Sequence, residues 1–200
     1  MARYGWRMEN PIPLFQQWLK EASNHPGIGE PTAMTLATAA TDGRPSARIV
    51  LLKQCDKNGF TFYTNYNSRK SAELKENEAA ALCFYWMPMG RQVRVEGKVT
   101  QVPAADSDAY FASRARARQI GAWASQQSRP LGSREELEQN VAALTRKYEG
   151  KEIPRPPHWG GWRLKPERIE FWQASEERLH VRELYTRNLS GSWTLSLLYP

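Results

Sequence analysis

The sequence predicts a mainly β fold with peripheral helices, a β-barrel assembled largely from hairpins. Three observations carry that prediction. Short runs of alternating, β-branched and aromatic residues recur along the chain, turn signals join successive runs, and helical spacing falls only between groups of them. A chain of 200 residues is long enough for one domain, residues 1–200, that buries its own core. No internal repeat and no low-complexity segment interrupts it.

Asn10-Pro11 opens a helix, because asparagine caps through its side chain and proline suits the first helical position. Ile12, Phe15, Trp18, Leu19 and Ala22 then recur on one face, and the prolines and glycines of Asn24–Pro31 end it. Ala33–Ala40 reads as a strand, Thr41-Asp42-Gly43 as a turn, and Ser46–Cys55, with its apolar run IVLL, as the next strand. If that strand is regular, Arg48 and Lys53 project to opposite faces. Asp56–Gly59 is a hairpin turn and Phe60–Asn65 a strand of aromatic and threonine residues. Asn67 or Ser68 caps a short helix through Glu76, and Ala79–Trp86 is a buried strand.

After a turn at Met87–Gly90, RQVRVEGKVTQV alternates valine with charge, as a half-exposed antiparallel strand does. Two helical stretches follow, Ala104–Ser113 and Ser133–Tyr148, the second opening with Ser133 and Glu136 at capping-box spacing. Pro154–Pro157 is a stiff linker within the domain. Strands over Trp162–Trp172, Leu179–Arg187 and Trp193–Tyr199 close the chain, the last two joined by a turn at Asn188–Gly191.

Composition narrows the function. With 40% hydrophobic residues and eight tryptophans the chain is not of disordered type. No apolar run approaches the roughly 20 residues of a membrane span, and Met1–Asn10 carries no signal-peptide pattern. Cys55 and Cys83 stand in no metal or redox spacing, so a cytoplasmic setting is expected, with a single disulfide left open. The excess of 28 basic over 21 acidic residues, +7, favours anionic partners. A nucleic-acid binder usually concentrates its charge, whereas here the arginines are spread, with the densest group (Arg114, Arg116, Arg118) interleaved with alanines; charge alone therefore says anions, either nucleic acid or a small phosphorylated ligand. There is no glycine-rich phosphate loop, no nucleophile elbow, and no metal-ligand spacing among His25, His158 and His180.

The remaining chemistry lies with scattered cations. Ser68-Arg69-Lys70 at a helix start makes a phosphate seat, through free backbone N–H groups and positive charge, although an ordinary capped surface helix reads the same way. Gln92 offers an amide suited to a flavin or pyrimidine edge. In IEFWQASEERLHVR, Ile169–Arg182, Trp172 can stack on a planar ring, and Arg178, His180 and Arg182 alternate onto one face of a strand.

The segments RIVLLK, FYTN, SRK, RQVRVEG, QIGAW, QQS, WGGWR, IEFWQ and RLHVR, in order from about Pro31 to the final Leu-Tyr-Pro, resemble the pyridoxine/pyridoxamine 5′-phosphate oxidase family. The resemblance implies an FMN-binding split β-barrel, homodimeric, with each flavin between the subunits. Residues 1–10 would form a short N-terminal arm and residues 162–200 the dimerisation and substrate strands. By position, FMN would be held by Arg48, Ile49, Val50, Leu51, Leu52, Lys53, Tyr63, Thr64, Arg69, Lys70, Gln92, Gln127, Ser128, Trp172 and Arg182. Lys53, Tyr110 and Arg114, with Arg118, would hold the phosphate of a phosphorylated pyridine substrate.

Arg178 and His180, flanking Leu179, would lie over the pyridine ring as the catalytic pair, His180 as a hydrogen-bond partner or proton acceptor. Glu30 would border the active site. The implied chemistry is hydride transfer from the substrate's 4′ carbon to flavin, with molecular oxygen reoxidising the flavin to give hydrogen peroxide; no membrane or nucleic acid is involved.

Three positions depart from the family pattern. Val181 stands where an acid or amide is usual, which would loosen Arg182 or a neighbour. Arg118 replaces a serine, adding a phosphate-binding fork or crowding the pocket. MARYGWRMEN replaces a longer basic arm, with Arg3 and Tyr4 the residues able to stand in. The alternatives are a split-barrel protein for another planar substrate, a non-catalytic flavin or pyridoxal-phosphate binder, and a nucleic-acid module with steep salt dependence.

Overall fold

The structure, a computed structural model, describes residues 10–200; Arg3, Tyr4 and most of the arm lie outside the described residues. The first helix, α1 (Ile12–Ser23), starts where Asn10 Oδ1 accepts the Ile12 amide at 3.0 Å, as the Asn-Pro signal predicts. Its buried face of Ile12, Phe15, Trp18 and Ala22 enters the main core, where the Phe15 ring meets Phe60 at 4.8 Å and Phe84 at 4.9 Å.

Nine antiparallel strands form one curled sheet: β1 (Ala33–Ala39), β2 (Pro45–Leu51), β3 (Gln54–Asp56), β4 (Gly59–Asn65), β5 (Ala79–Trp86), β6 (Arg91–Gln101), β7 (Trp159–Gln173), β8 (Val181–Arg187) and β9 (Trp193–Leu197). Their order is β2-β1-β5-β6-β7-β4-β3, with β8 on β7 and β9 on β8. β7 accounts for the split. Along one edge its first half, Trp159–Leu164, pairs with β4, while its second half, Arg168–Gln173, pairs with β8. The other edge pairs with β6, through a register shift at Glu96/Gly97. A side chain at Gly97 would place Cβ 2.1 Å from the Lys165 carbonyl oxygen, so only glycine lets the two backbones approach there.

Four further helices flank the sheet: α2 (Arg69–Glu76), α3 (Ala104–Ala112), α4 (Arg116–Ala124) and α5 (Arg134–Lys147). A second, smaller core of Phe111, Ile120, Tyr148, Ile153 and Trp159 joins the α3–α5 layer to the start of β7. The capping box forms as expected, Ser133 Oγ accepting the Glu136 amide at 3.2 Å. Cys55 and Cys83 are both free thiols, which closes the disulfide question; burial pushes the Cys55 thiol up to about 12. No helix of the described residues is long and apolar enough to cross a membrane.

Three expectations are corrected. Ser46–Cys55 is not one strand: β2 ends at Leu51, the Leu52 amide turns to the Thr32 carbonyl (2.9 Å), and Lys53 N–H reaches the Thr61 carbonyl (2.8 Å) before β3 begins. Arg48 and Lys53 consequently line the same cavity instead of opposite faces. The helix α4, RARQIGAWA, lies where the sequence predicts no element. It lacks a side-chain cap and carries Gly121, so it owes its existence to tertiary packing of Gln119 and Ile120. Finally, no strand covers Leu179–His180. Glu177 and Arg178 are left-handed, with φ of 55° and 63°, and close a single 3-10 turn; β8 starts only at Val181. Arg178, His180 and Arg182 therefore do not share a strand face.

Candidate active site

A cavity of about 700 Å³ opens between β2, the end of β4, α2 and the α3–α4 corner. Arg48, Ile49, Val50, Leu51 and Lys53 form one wall; Tyr63, Thr64 and Lys70 the floor; Tyr110, Arg114, Arg118 and Gln127 the far side. Each wall is placed by local structure. The IVLL run continues the sheet, so the cavity side of β2 is backbone and apolar side chain. Ile49 is nonetheless 64% exposed, an apolar wall left open.

On the floor, Tyr63 stacks with Tyr110 at 4.1 Å and with Trp159 at 5.5 Å. Glycine permits this: a Cβ on Gly161 would sit 2.8 Å from the Tyr63 ring and 2.6 Å from Val102. The far side is held by Gln119, whose amide donates to the Phe111 carbonyl at 3.0 Å and so fixes the corner between α3 and α4.

Two cations in this cavity face no anion among the described residues. The Lys70 ammonium is buried, and its hydrogen-bond partners are neutral oxygens: Gln127 Oε1 at 2.9 Å, and Thr64 Oγ1 and Ser68 Oγ at 3.3 Å. Burial, helped by the charge of Arg48 and opposed by Glu73, brings its pKa down to about 8. Arg114 lays its guanidinium over the Trp159 ring at 4.6 Å, and its Nη1 is sealed from solvent with no hydrogen-bond partner. Burial lowers its pKa, with Arg118 adding to the effect. A buried donor left unmade costs about 1–3 kcal/mol, more when charged, so the arrangement is costly unless an anion completes it. Arg118 reaches the same cavity, and its charge with that of Lys53 bears on Glu30, whose carboxyl is held low chiefly by Thr32.

Behind the cavity, Glu73 organises the cations. It accepts from Thr38 (2.5 Å), Ser46 (2.6 Å) and Arg69 (2.9 Å), and pairs with Arg48 at 3.3 Å. Burial raises its pKa, but those hydrogen bonds and the Arg48 charge outweigh it and hold the group at about 2, against an ordinary 4.5. A depressed carboxylate stabilises the fold fully above about 4.5, and the contribution is lost as pH falls toward 2. Glu73→Gln should therefore cost about 3 kcal/mol at pH 7, because it leaves Arg48 without its counter-charge. The cost should shrink with acidification over that window, which urea melts at pH 7 and pH 3 would measure.

The other expected site residues lie elsewhere. Arg69 points to Glu73, Leu52 is buried in the main core, and Ser128 is exposed just outside the cavity with φ of 70°. Gln92, Trp172 and Arg182 are direct cross-strand neighbours on β6, β7 and β8, forming a row at the far end of β7. The His180 ring lies 4.7 Å from the Trp172 ring, and Arg178, two residues before His180 in the chain, is exposed. Arg182 is not loosened by Val181: its Nε donates to Glu170 at 2.8 Å and its Nη1 to the Tyr199 carbonyl at 2.9 Å. Val181 itself is 48% exposed at the start of β8.

Trp159 in the cavity and Trp172 in the row stand 13 positions apart on one strand, a contour of roughly 40 Å at 3.3 Å per residue. Sequence reasoning missed Asn65, Trp159 and Glu73. The first two sit inside the FYTN and WGGWR segments; Glu73 has no signal beyond a polar position on a short helix.

Comparison with known proteins supplies the context. The family described as pyridoxamine 5′-phosphate oxidase matches residues 22–173, and the pyridoxine 5′-phosphate oxidase C-terminal dimerisation region matches residues 159–200. A pyridoxine/pyridoxamine 5′-phosphate oxidase of Myxococcus xanthus is 54% identical over 96% of this chain and 92% of its own. One from Rubrobacter xylanophilus is 56% identical over 96% and 87%. Among solved structures, PhzG from Burkholderia lata in complex with tetrahydrophenazine-1-carboxylic acid superposes with a TM-score of 0.90 at 36% identity, covering 96% of this chain and 93% of that one. An FMN-binding protein of Nostoc punctiforme shares the fold, with a TM-score of 0.76 at 17% identity and coverage of 96% and 99%.

Proposed function

The chain belongs to the pyridoxamine 5′-phosphate oxidase family, and from that premise we infer its reaction. It oxidises pyridoxine 5′-phosphate or pyridoxamine 5′-phosphate to pyridoxal 5′-phosphate, with FMN as cofactor, oxygen as acceptor and hydrogen peroxide as product. One observation carries the assignment at this site: a single cavity holds two separate cations, the buried Lys70 and the half-buried Arg114 with its sealed Nη1, that lack anionic partners among the described residues. Cofactor and substrate each bring a phosphate, which matches that demand. FMN, when bound, would supply the redox chemistry, as hydride acceptor for the substrate's 4′ carbon with oxygen as the terminal oxidant.

The chain's own residues bind and orient. Lys70, with Arg48, Thr64 and Gln127 around it, suits the cofactor phosphate, while the backbone and side chains of Ile49–Leu51 give an apolar wall for a ring system. Lys53, Tyr110, Arg114 and Arg118 suit the substrate phosphate, the added Arg118 giving a second guanidinium at that end. Arg178 supplies charge over the pyridine ring and orients it.

The catalytic pair and the Gln92–Trp172–Arg182 row cannot reach the cavity of their own chain along β7. A homodimer resolves this, with a second copy presenting its row, Arg178 and His180 to the exposed Ile49 wall. The dimerisation region over residues 159–200 contains all of these but Gln92. Residues 1–200 then act as one domain, with 162–200 as the dimerisation and substrate strands, and the free thiols accord with a cytoplasmic setting. A composite site predicts complementation. Mixing inactive Arg114→Met with inactive Arg178→Ala chains under subunit exchange should restore roughly a quarter of wild-type activity, since half the dimers are mixed and each rebuilds one intact site. No recovery would place both groups in one chain's site.

The reaction itself is tested by supplying FMN and pyridoxine 5′-phosphate in air and following pyridoxal 5′-phosphate and peroxide together. Equal formation of both is expected. Bound FMN without either product would leave a flavin binder, or an enzyme for another planar substrate.

A further inference from the structure

We infer that Ser175 is a positioning residue that presents His180 to the ligand as an Nε2–H hydrogen-bond donor rather than a proton acceptor. The inference rests on the reading that His180 faces the substrate, and it deepens that reading by giving the ring a fixed tautomer.

The Ser175 backbone N–H donates to His180 Nδ1 at 3.3 Å. A backbone amide can only donate, so Nδ1 must carry the lone pair and the ring proton of the neutral imidazole must sit on Nε2. No described residue partners Nε2, which leaves that N–H for a ligand. A second contact from the same residue holds the loop: Ser175 Oγ donates to the Leu179 carbonyl, and the Leu179 amide turns back to the Glu176 carbonyl at 3.2 Å. Those bonds close the turn across Glu177 and Arg178, whose left-handed backbones are disfavoured for side-chain-bearing residues and persist only when their surroundings impose them. The Trp172 ring at 4.7 Å sets the tilt of the imidazole from the other side. One serine thus fixes both the aim of Arg178 and the donor atom of His180. The ligand atom it suits is an acceptor on the planar ring system, an oxygen substituent of the pyridine.

The test is to record long-range proton–nitrogen spectra of the histidine rings in the FMN-loaded protein, assigning His180 by its disappearance in His180→Gln. The expected result is a protonated Nε2 and a bare Nδ1. Ser175→Ala keeps the amide but releases the loop. It should give a mixture of tautomers and lower kcat about tenfold, with FMN affinity unchanged, and Ser175→Thr should restore both. A proton on Nδ1 in the wild type would overturn the inference. So would a Ser175→Ala protein whose tautomer ratio stays fixed, whatever its turnover. Because the tautomer is read without turnover, an inactive protein with Nε2–H locked would count against the oxidase reading alone.

Discussion

Arg178→Ala should lower kcat roughly 10²- to 10³-fold while leaving the FMN dissociation constant within about threefold of wild type. The separation of the two effects follows from where Arg178 stands. It is exposed, makes no side-chain hydrogen bond or ion pair with any described residue, and sits in a left-handed turn that only its neighbours hold. It is not among the residues that line the cavity, so truncating it should remove nothing from the proposed cofactor seat. In the proposed role, what is lost is a planar cation over the substrate ring that orients the reacting carbon. Arg178→Lys should recover only part of the rate, since an ammonium keeps the charge but not the flat fork. Stopped-flow reduction of the bound flavin by substrate, beside a fluorescence titration of FMN, separates the two quantities. Loss of the flavin itself in Arg178→Ala would move this residue into the cofactor seat and undo the division of the site proposed above.

That division also marks what the sequence made legible. Strands β1, β4, β5 and β6 were readable because alternation and tight turns are local signals, and so was the capped start of α5. α4 was not, because its stability comes from Gln119 and Ile120 reaching into the α3–α5 core, a tertiary contact without local trace. The break at Leu52–Lys53 was hidden for the same reason: an apolar run reads as one strand until the fold gives its amides two different partners, Thr32 and Thr61. Within the site, the resemblance named Arg48, Lys53, Thr64, Lys70 and Arg114, which the fold brings together in one cavity, yet position in sequence cannot say which copy of the chain delivers Trp172 or Arg178. Arg48 and Lys53 meet on one wall, whereas Trp172 and Trp159 lie at opposite ends of β7. The role of Glu73 was out of reach altogether, since its partners Thr38, Ser46 and Arg48 come from two different strands.

Lys70→Met should produce two effects of opposite sign, and the opposition is the informative part. FMN affinity should fall roughly a hundredfold, about 3 kcal/mol, as expected when a charged hydrogen bond to phosphate is removed from a sheltered site. The FMN-free protein should nevertheless become more stable, by about 1–2 kcal/mol, because a buried ammonium with only neutral partners is replaced by an apolar side chain of similar length. The depressed pKa carries the same message. With the folded group at about 8 and its ordinary value at 10.5, the unfolded chain binds more protons between those limits, so the FMN-free wild type should gain stability as pH rises from 8 to 10.5. Lys70→Met should lose that rise. A bound phosphate favours the charged lysine, so FMN binding at pH 9 should take up close to one proton in the wild type and none in the variant. Calorimetry in buffers of different ionisation enthalpy reads that proton directly. A variant that binds FMN as tightly as wild type would mean that the phosphate lies elsewhere in the cavity. One that is also less stable without FMN would mean that the ammonium is a structural tie between β4, α2 and Gln127, not a seat kept for an anion.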